Sequence, residues 1–431
     1  MDIAALYERY LSSTGITTDT RQIHEGCIFF ALRGDKFNAN TFAIEALQKG
    51  AAYAVIDEAQ PDSDRYDDRL ILVTDVLSTL QELSGYHRHR LRCPVLAITG
   101  SNGKTTTKEL IAAVLSKKYN TIATKGNLNN HIGVPLTLLS TPADTEFLIV
   151  EMGANHQREI AGYCEYVDPD FGLITNVGKA HLEGFGSEEG VVKGKTELYA
   201  HIAKKNGKLF VSSLSSVLMG KALEYSDPDH IIYYGDRGGD YCSGENISTG
   251  EFLSVKTRDG LSVKTQLVGQ YNFENALAAI CIGRYFGVDD LSIKEAIENY
   301  IPSNNRSQKI TVGTNTILLD AYNANPSSMI EALRNFEALD AINKVTILGE
   351  MMELGEYSHD EHVKIIDTVN RMHLVQRVYV GEGFKMIKGA ENALHFGTTE
   401  QLKEWYTAQH FENTTLLIKG SRKNALEKIL S

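Results

Sequence analysis

Long apolar runs are missing from this sequence; none approaches the ~20 residues that a membrane-spanning helix needs. A basic field is missing as well. Lys and Arg number 43 against 55 Asp and Glu, a net charge of −12. Proteins that bind a phosphate backbone usually carry the opposite balance, so nucleic acid is excluded as the main partner. Cysteine is scarce: Cys27, Cys93, Cys164, Cys242 and Cys281 are scattered and form no C-x-x-C. That usage reads as free structural thiols of a reducing cytosol. There is no internal repeat and no low-complexity tract, and VGEGF at 380–384 is not a G-x-G-x-x-G fingerprint. The opening MDIAALYERYLSS reads as a short amphipathic helix rather than a signal peptide. The expected location is the cytoplasm.

What is present is the composition of a globular enzyme, 42% hydrophobic and 23% charged, in 431 residues. That length suggests about two to four domains. Residues 1–83 hold short signals: CIFFAL, a helical TFAIEALQKG and a strand AAYAVID. QELSGYHRHRLRCP (81–94) is polar and basic and reads as a connector. From Pro94, apolar strands (VLAIT, TEFLIVEMG, FGLITNVG) alternate with helical stretches, and KVTILGEMM, RVYVGEG and TTLLIKG repeat the style after residue 340. Such alternation implies parallel sheets covered by helices on both faces. A second boundary falls near IPSNNRSQ (301–308). The predicted architecture is α/β in three domains. A small N-terminal domain spans 1–83, a central P-loop-type ATP-binding domain 84–305, and a Rossmann-like C-terminal domain 306–431.

The run AITGSNGKTTTKEL (97–110) is nearly a phosphate-binding loop. In G-x-x-x-x-G-K-[ST] the first glycine would fall at position 98, which is Ile98; Gly100 comes two residues later. The strand–turn–helix context is nonetheless the required one. Amides at the helix start point at an anion. Lys104 would neutralise phosphate charge and Thr105 would offer its hydroxyl to Mg²⁺. The candidate cradle is Gly100, Ser101, Asn102, Gly103, Lys104, Thr105 and Thr106. The bland alternative is a Gly-rich turn with a capped helix and a solvated lysine.

Ligands of open α/β sheets sit at the carboxyl ends of strands. Glu151 ends one such strand and His181 lies just past another, a pair suited to a divalent cation bridging phosphate oxygens. Lys195 is the anomaly. Helical spacing places it on the apolar face with Val191, Val192, Leu198, Tyr199 and Ile202, whereas Lys193 is off that face. It either snorkels its ammonium to the surface or is desolvated and available as an amine, which CO₂ converts to an anionic carbamate. Glu197 reads as a solvated bystander. Asn272 and Asn275 stand at a helix start, where an amide either caps the helix or meets a purine edge. Arg306 and Asp320 lie beyond the second boundary, Asp320 at a strand end.

These motifs, in the order ITGSNGKTTTKEL, KGNLNNHIGVPLTLL, EMGANHQREI, ITNVGKAHLEGFGS, NFENALAA, DAYNANPSSM, LGEMMELGE and LLIKGSR, resemble the Mur ligase family over nearly the whole chain. The family's loop has this short T-G-x-N-G-K-T spacing. The resemblance implies a monomeric ATP-dependent ligase of peptidoglycan synthesis. UDP-N-acetylmuramoyl-tripeptide would supply the carboxylate and D-alanyl-D-alanine the amine, through an acyl phosphate. It further implies that Thr105, Glu151, His181 and a carbamylated Lys195 hold two Mg²⁺. Lys104, Lys195 and His181 would be catalytic. Asn272 and Asn275 would lie at the adenine, and Arg306 and Asp320 at the phosphates and ribose. Asn127, Asn129, Asn130, Asn323 and Asn325 would line the substrate path, and Thr20 and Arg21 would meet the uridine diphosphate. Two stretches depart from the family pattern. Asn38-Ala39-Asn40 stands where D-G-H is common, and Arg158 replaces a usual glycine. The competing readings are another ligase of the superfamily, either a different Mur ligase or a folylpolyglutamate synthase type, and a P-loop switch that hydrolyses nucleotide without ligation. MMELGE and NANPSS argue against the first, and a switch needs no anionic Lys195.

Overall fold

The computed structural model describes residues 2–430 apart from 35, 61–67, 303–305, 386, 388 and 391. Residues 303–305, inside the stretch of the second expected boundary, thus lie outside the described residues. The chain gathers into two compact units. The first comprises Met1–Ile98, Tyr119–Gly153 and Glu159–Gly172; the second comprises Thr99–Lys118, Ala154–Arg158 and Leu173–Ser431.

The first unit opens with the helix Ile3–Leu11 and a four-stranded parallel sheet in the order Ile16–Thr17, Ile28–Phe30, Tyr53–Ile56, Leu70–Leu72. The two-residue alternation of a strand divides its apolar side chains between two faces. Ile28 and Phe30 pack with Leu6, Leu80 and Leu83, whereas Phe29 and Ala31 pack with Ala43 and Ala46. Three further parallel strands run Val95–Thr99, Phe147–Glu151 and Thr121–Ala123, the middle one pairing with both others. Val95–Thr99 and Phe147–Glu151 are buried along their whole length, as strands covered on both faces must be. Ile98 is fully buried in register with Glu151. The position that disqualified the standard loop pattern is therefore a core position.

The stretch 81–94 is not a connector. Most of it belongs to the helix Val76–Arg88, whose buried face includes Ser84, Gly85, His87 and Arg88. The polar groups on that face are matched individually. His87 accepts or donates to Tyr7 Oη at 3.0 Å and bonds Thr141 O at 2.9 Å. Arg88 donates to Val167 O and ion-pairs with Asp170. Gly85 lets the helix approach Tyr166 closely; a Cβ there would sit 3.2 Å from the Tyr166 Cβ. A polar sequence thus hides a buried helix.

The second unit carries six strands in the order Ser262–Val268, Phe252–Thr257, Cys242–Asn246, Ile231–Gly235, Lys208–Ser212, Phe171–Ile174. The last three sequence strands of this set, Cys242–Asn246 to Ser262–Val268, pair antiparallel as a meander. A separate six-stranded sheet follows, ordered Gln308–Val312, Asn315–Asp320, Thr414–Lys419, Asn343–Gly349, Gln376–Val380, Leu394–Phe396. All its pairings are parallel except the opening hairpin. Its core is Ile317, Leu319, Val345, Ile347, Leu416 and Ile418 with their neighbours. All five cysteines are buried and free. No described helix is long and apolar enough to cross a membrane.

Candidate active site

The loop after Val95–Thr99 turns through Gly100 (φ 143°) and Gly103 (φ 76°) into the helix Lys104–Leu115. Both glycines are required. A Cβ on Gly100 would lie 2.1 Å from Thr175 Oγ1, and one on Gly103 would lie 2.7 Å from Asn275 Oδ1. The helix has no side-chain cap, so its positive end faces the loop, the arrangement that receives phosphate. The Lys104 ammonium folds over this cradle and donates to Gly100 O at 2.7 Å and Ser101 O at 3.2 Å. Thr105 and Thr106 are buried in the first turn.

A second segment, Thr175-Asn176-Val177-Gly178, holds the loop from beneath. Asn102 N–H donates to Asn176 Oδ1 at 2.9 Å, and the Thr175 hydroxyl donates to Asn102 O at 2.6 Å. Ser101 Oγ and Gly178 exchange hydrogen bonds at 3.0 Å. Thr175 and Asn176 are absent from the sequence reading, although they lie in the same ITNVGKAH run that singled out His181.

Asn272 and Asn275 buttress the same loop. Asn272 sits at the start of Phe273–Tyr285 and makes no side-chain cap bond. It donates to Val268 O, accepts from Asn275 Nδ2 at 2.9 Å, and Asn275 Oδ1 in turn accepts from the Thr107 hydroxyl at 3.0 Å. Asn325 caps the helix Pro326–Ala338 in a capping box with Ser328, and its Nδ2 donates to Asn102 Oδ1 at 2.7 Å. Asn323 accepts from Ala324 N–H and is exposed. Arg306 stacks its guanidinium 3.6 Å above the Tyr322 ring. Asp320, last residue of its strand, forms an ion pair with Lys419 at 2.5 Å.

Lys195 is on the buried face of Glu188–Lys204, as the spacing requires, and is 1% exposed. It does not snorkel. Its Nζ donates to Ala154 O at 2.9 Å and lies 5.1 Å from the Phe185 ring centre; Lys193 is exposed. Glu197 is not a bystander, because it accepts from the Arg158 N–H at 2.6 Å. Arg158 itself adopts φ 72°. That left-handed conformation explains the family's glycine at this position, and Glu197 holds the backbone where glycine is replaced. His181 also has a positive φ (53°) and its Nδ1 meets Glu353 Oε2. The His181 ring holds the Glu353 carboxyl below the usual carboxylate range.

In the first unit Glu151 is fully buried at its strand end and accepts from Asn129 Nδ2 at 2.7 Å. Asn129 N–H in turn bonds Asn127 O, and Asn130 Oδ1 accepts from Gly133 N–H. Thr20 and Arg21 lie in the short turn Thr20–Gln22, where Arg21 pairs with Asp19 at 2.7 Å. Asn40 is fully buried, donates to Asp57 at 2.8 Å and accepts from the Asp57 and Glu58 N–H groups; Asn38 donates to Glu58. The departing triplet thus ties down the end of the N-terminal sheet. Among the described residues no three His, Cys, Asp or Glu gather as a metal group. The Thr105 hydroxyl and the Glu151 carboxylate are each oxygen donors of the kind Mg²⁺ takes, with phosphate and water filling its shell.

Residues 98–283 match the Mur ligase middle domain, and residues 305–422 match the Mur ligase, glutamate ligase domain. The chain is 33% identical over 425 residues to UDP-N-acetylmuramoyl-tripeptide–D-alanyl-D-alanine ligase of Escherichia coli (strain K12), covering 96% of this chain and 92% of that protein. The chain belongs to the Mur ligase family. The protein of the same description from Bacillus subtilis (strain 168) is 30% identical with the same coverage. The solved MurF of Acinetobacter baumannii superposes with a TM-score of 0.85 at 28% identity, over 98% of this chain and 97% of that one. MurF ligase from Thermotoga maritima, solved with ADP, gives 0.84 at 25% identity over the same shares. As a family member, this chain is an ATP-dependent ligase that forms C–N bonds.

Proposed function

We propose that this Mur ligase joins D-alanyl-D-alanine to UDP-N-acetylmuramoyl-tripeptide, converting ATP to ADP and phosphate, in cytoplasmic peptidoglycan precursor synthesis. The reading rests on the phosphate loop held at Asn102 by both Asn176 and Asn325, in a chain whose full-length relatives carry that description. The working divisions are 1–83 for the UDP-sugar, 84–305 for ATP, and 306–431 for completing the ATP and amine sites, in a monomer.

A tripeptide carboxylate oxygen attacks the γ-phosphorus and the bond to ADP breaks, leaving an acyl phosphate. The amine of D-alanyl-D-alanine then attacks the acyl carbon. The tetrahedral adduct loses phosphate and a proton and becomes the amide. Carboxylate and triphosphate repel each other, so the residues here supply positive potential. The Lys104 ammonium and the start of Lys104–Leu115 face the phosphates and stabilise charge as it moves to ADP. Gly100, Ser101, Asn102, Gly103 and Thr106 shape the cradle. Asn272 and Asn275 position the adenine end, Arg306 the phosphates and Asp320 the ribose. Thr105, Glu151, His181 and a carbamylated Lys195 would hold two Mg²⁺, which supply Lewis acidity to phosphate oxygens when bound. Asn127, Asn129, Asn130, Asn323 and Asn325 guide the peptide substrates, and Thr20 and Arg21 the uridine diphosphate.

The deciding experiment offers each UDP-muramoyl peptide with each candidate amine and follows ADP and phosphate. Release that requires both the tripeptide and D-alanyl-D-alanine is the expected result. Release with a single amino acid but not the dipeptide overturns the substrate assignment. Release without any carboxylate substrate overturns ligation.

A further inference from the structure

Lys419 has no place in the chemistry described so far, yet it is among the largest fully buried side chains. It ends the strand Thr414–Lys419, and its register partner Asp320 ends the adjacent parallel strand Asn315–Asp320. The Lys419 ammonium donates to Asp320 Oδ2 at 2.5 Å and to Asn323 O at 3.4 Å. Its side chain is 1% exposed and that of Asp320 is 20% exposed. Stability alone does not favour this arrangement, because an apolar residue of similar volume at a buried ion-pair position is often as stabilising or more so. What the pair does provide is a fixed carboxylate at the carboxyl edge of a parallel sheet, the edge where ligands of open α/β sheets sit. The second bond ties the same ammonium to the turn that delivers Asn325 to Asn102 of the phosphate loop.

We infer that Lys419 is a positioning residue for the nucleotide: it orients the Asp320 carboxylate toward the ribose hydroxyls and thereby sets how strongly the enzyme prefers an intact ribose. The inference rests on the reading above that places Asp320 at the ribose. A carboxylate accepting from hydroxyls makes charge-assisted hydrogen bonds, whose strength depends on direction. A carboxylate released from its ammonium would rotate and lose that preference, while the phosphates stayed in their loop.

The test is calorimetric binding of Mg²⁺-ADP and of Mg²⁺-2′,3′-dideoxy-ADP to the full chain. Wild type is expected to prefer ADP by about tenfold or more, tenfold being the worth of one hydrogen bond to a charged group at the low end of its range. Lys419→Met should bring the ratio close to one while dideoxy-ADP binds as in wild type. Thermal melts check that the variant is folded. If it is not, Lys419→Gln keeps a donor without the charge and should lower the ratio at least threefold. A wild-type ratio in whichever variant folds overturns the positioning role. Asp320→Asn separates the two ideas. If it keeps the preference, the placement of Asp320 at the ribose fails; if it loses the preference while the Lys419 variant keeps it, only the role of Lys419 fails.

Discussion

Asn325 serves two partners with the two ends of one amide: its Oδ1 accepts from the Ser328 N–H at 2.9 Å, and its Nδ2 donates to Asn102 Oδ1 at 2.7 Å. One end starts the helix Pro326–Ala338. The other joins that helix to the phosphate loop.

The two tasks can be separated. Asp and Asn are equally good N-caps, whereas Ala at such a position costs about 1 kcal/mol. Asn325→Asp should therefore keep wild-type stability within about 0.5 kcal/mol, since the helix dipole also favours the added charge. It replaces the donor facing Asn102 Oδ1 with an oxygen, so kcat/KM for ATP should fall about tenfold, equivalent to about 1.4 kcal/mol of transition-state stabilisation. Asn325→Ala should lose both. Urea unfolding and steady-state kinetics on the two variants read the difference, and an Asn325→Asp enzyme with unchanged kcat/KM would remove the loop contact from the mechanism.

His362 gives a pH dependence with a definite sign. Its Nε2 accepts from the Met351 N–H at 3.0 Å and its Nδ1–H donates to Ser358 O at 2.7 Å, which fixes the neutral form. Burial pushes its pKa below the ordinary histidine value. The unfolded chain therefore takes up the proton first. Stability is fully present above about pH 6.5 and declines as pH falls from there toward the lower folded value. A proton on Nε2 also turns the acceptor of Met351 into a donor and disturbs the turn that carries Glu353 to His181. His87 is shifted the same way by burial, so the comparison must be differential. Melting temperatures between about pH 8 and pH 5.5 should fall less for His362→Gln than for wild type. Parallel curves would assign the acid sensitivity elsewhere.

What the sequence reveals and what it hides have physical causes. The strand–turn–helix of the loop is legible because a continuous apolar run, VLAIT, a Gly-rich turn and the GKTTT helix start are contiguous in the sequence. The buried Lys195 is legible for the same reason, since helical spacing alone puts it beside Leu198 and Tyr199. Glu353 beside His181 and Lys419 beside Asp320 are 172 and 99 residues apart in sequence, and no local pattern marks such partners. The helix Val76–Arg88 is misread because its buried polar residues are satisfied by distant groups, so hydropathy gives the wrong sign. Arg158 is half legible: the missing glycine shows in the sequence, but the Glu197 carboxylate that holds its backbone does not.

Lys195 carries the boldest consequence of the site. As an ammonium it donates to Ala154 O. The proposed carbamate would form as its neutral amine adds to CO₂, making an N–C bond and releasing a proton. It would keep one N–H, so the bond to Ala154 could persist while two oxygens sharing one negative charge became available. An anion at a position 1% exposed needs a cation beside it, which is what a second Mg²⁺ would provide. The enzyme equilibrated with ¹³C-bicarbonate, Mg²⁺ and ADP should show a carbamate carbon resonance that is absent in Lys195→Met. Lys195→Ala should lose activity on the order of a hundredfold or more, comparable to removing one electrostatic stabiliser from an active site. Added bicarbonate should not restore it, because the variant has no amine to carboxylate. A Lys195→Ala enzyme near wild-type activity would sink the carbamate, and a resonance that persists in Lys195→Met would move it to another lysine.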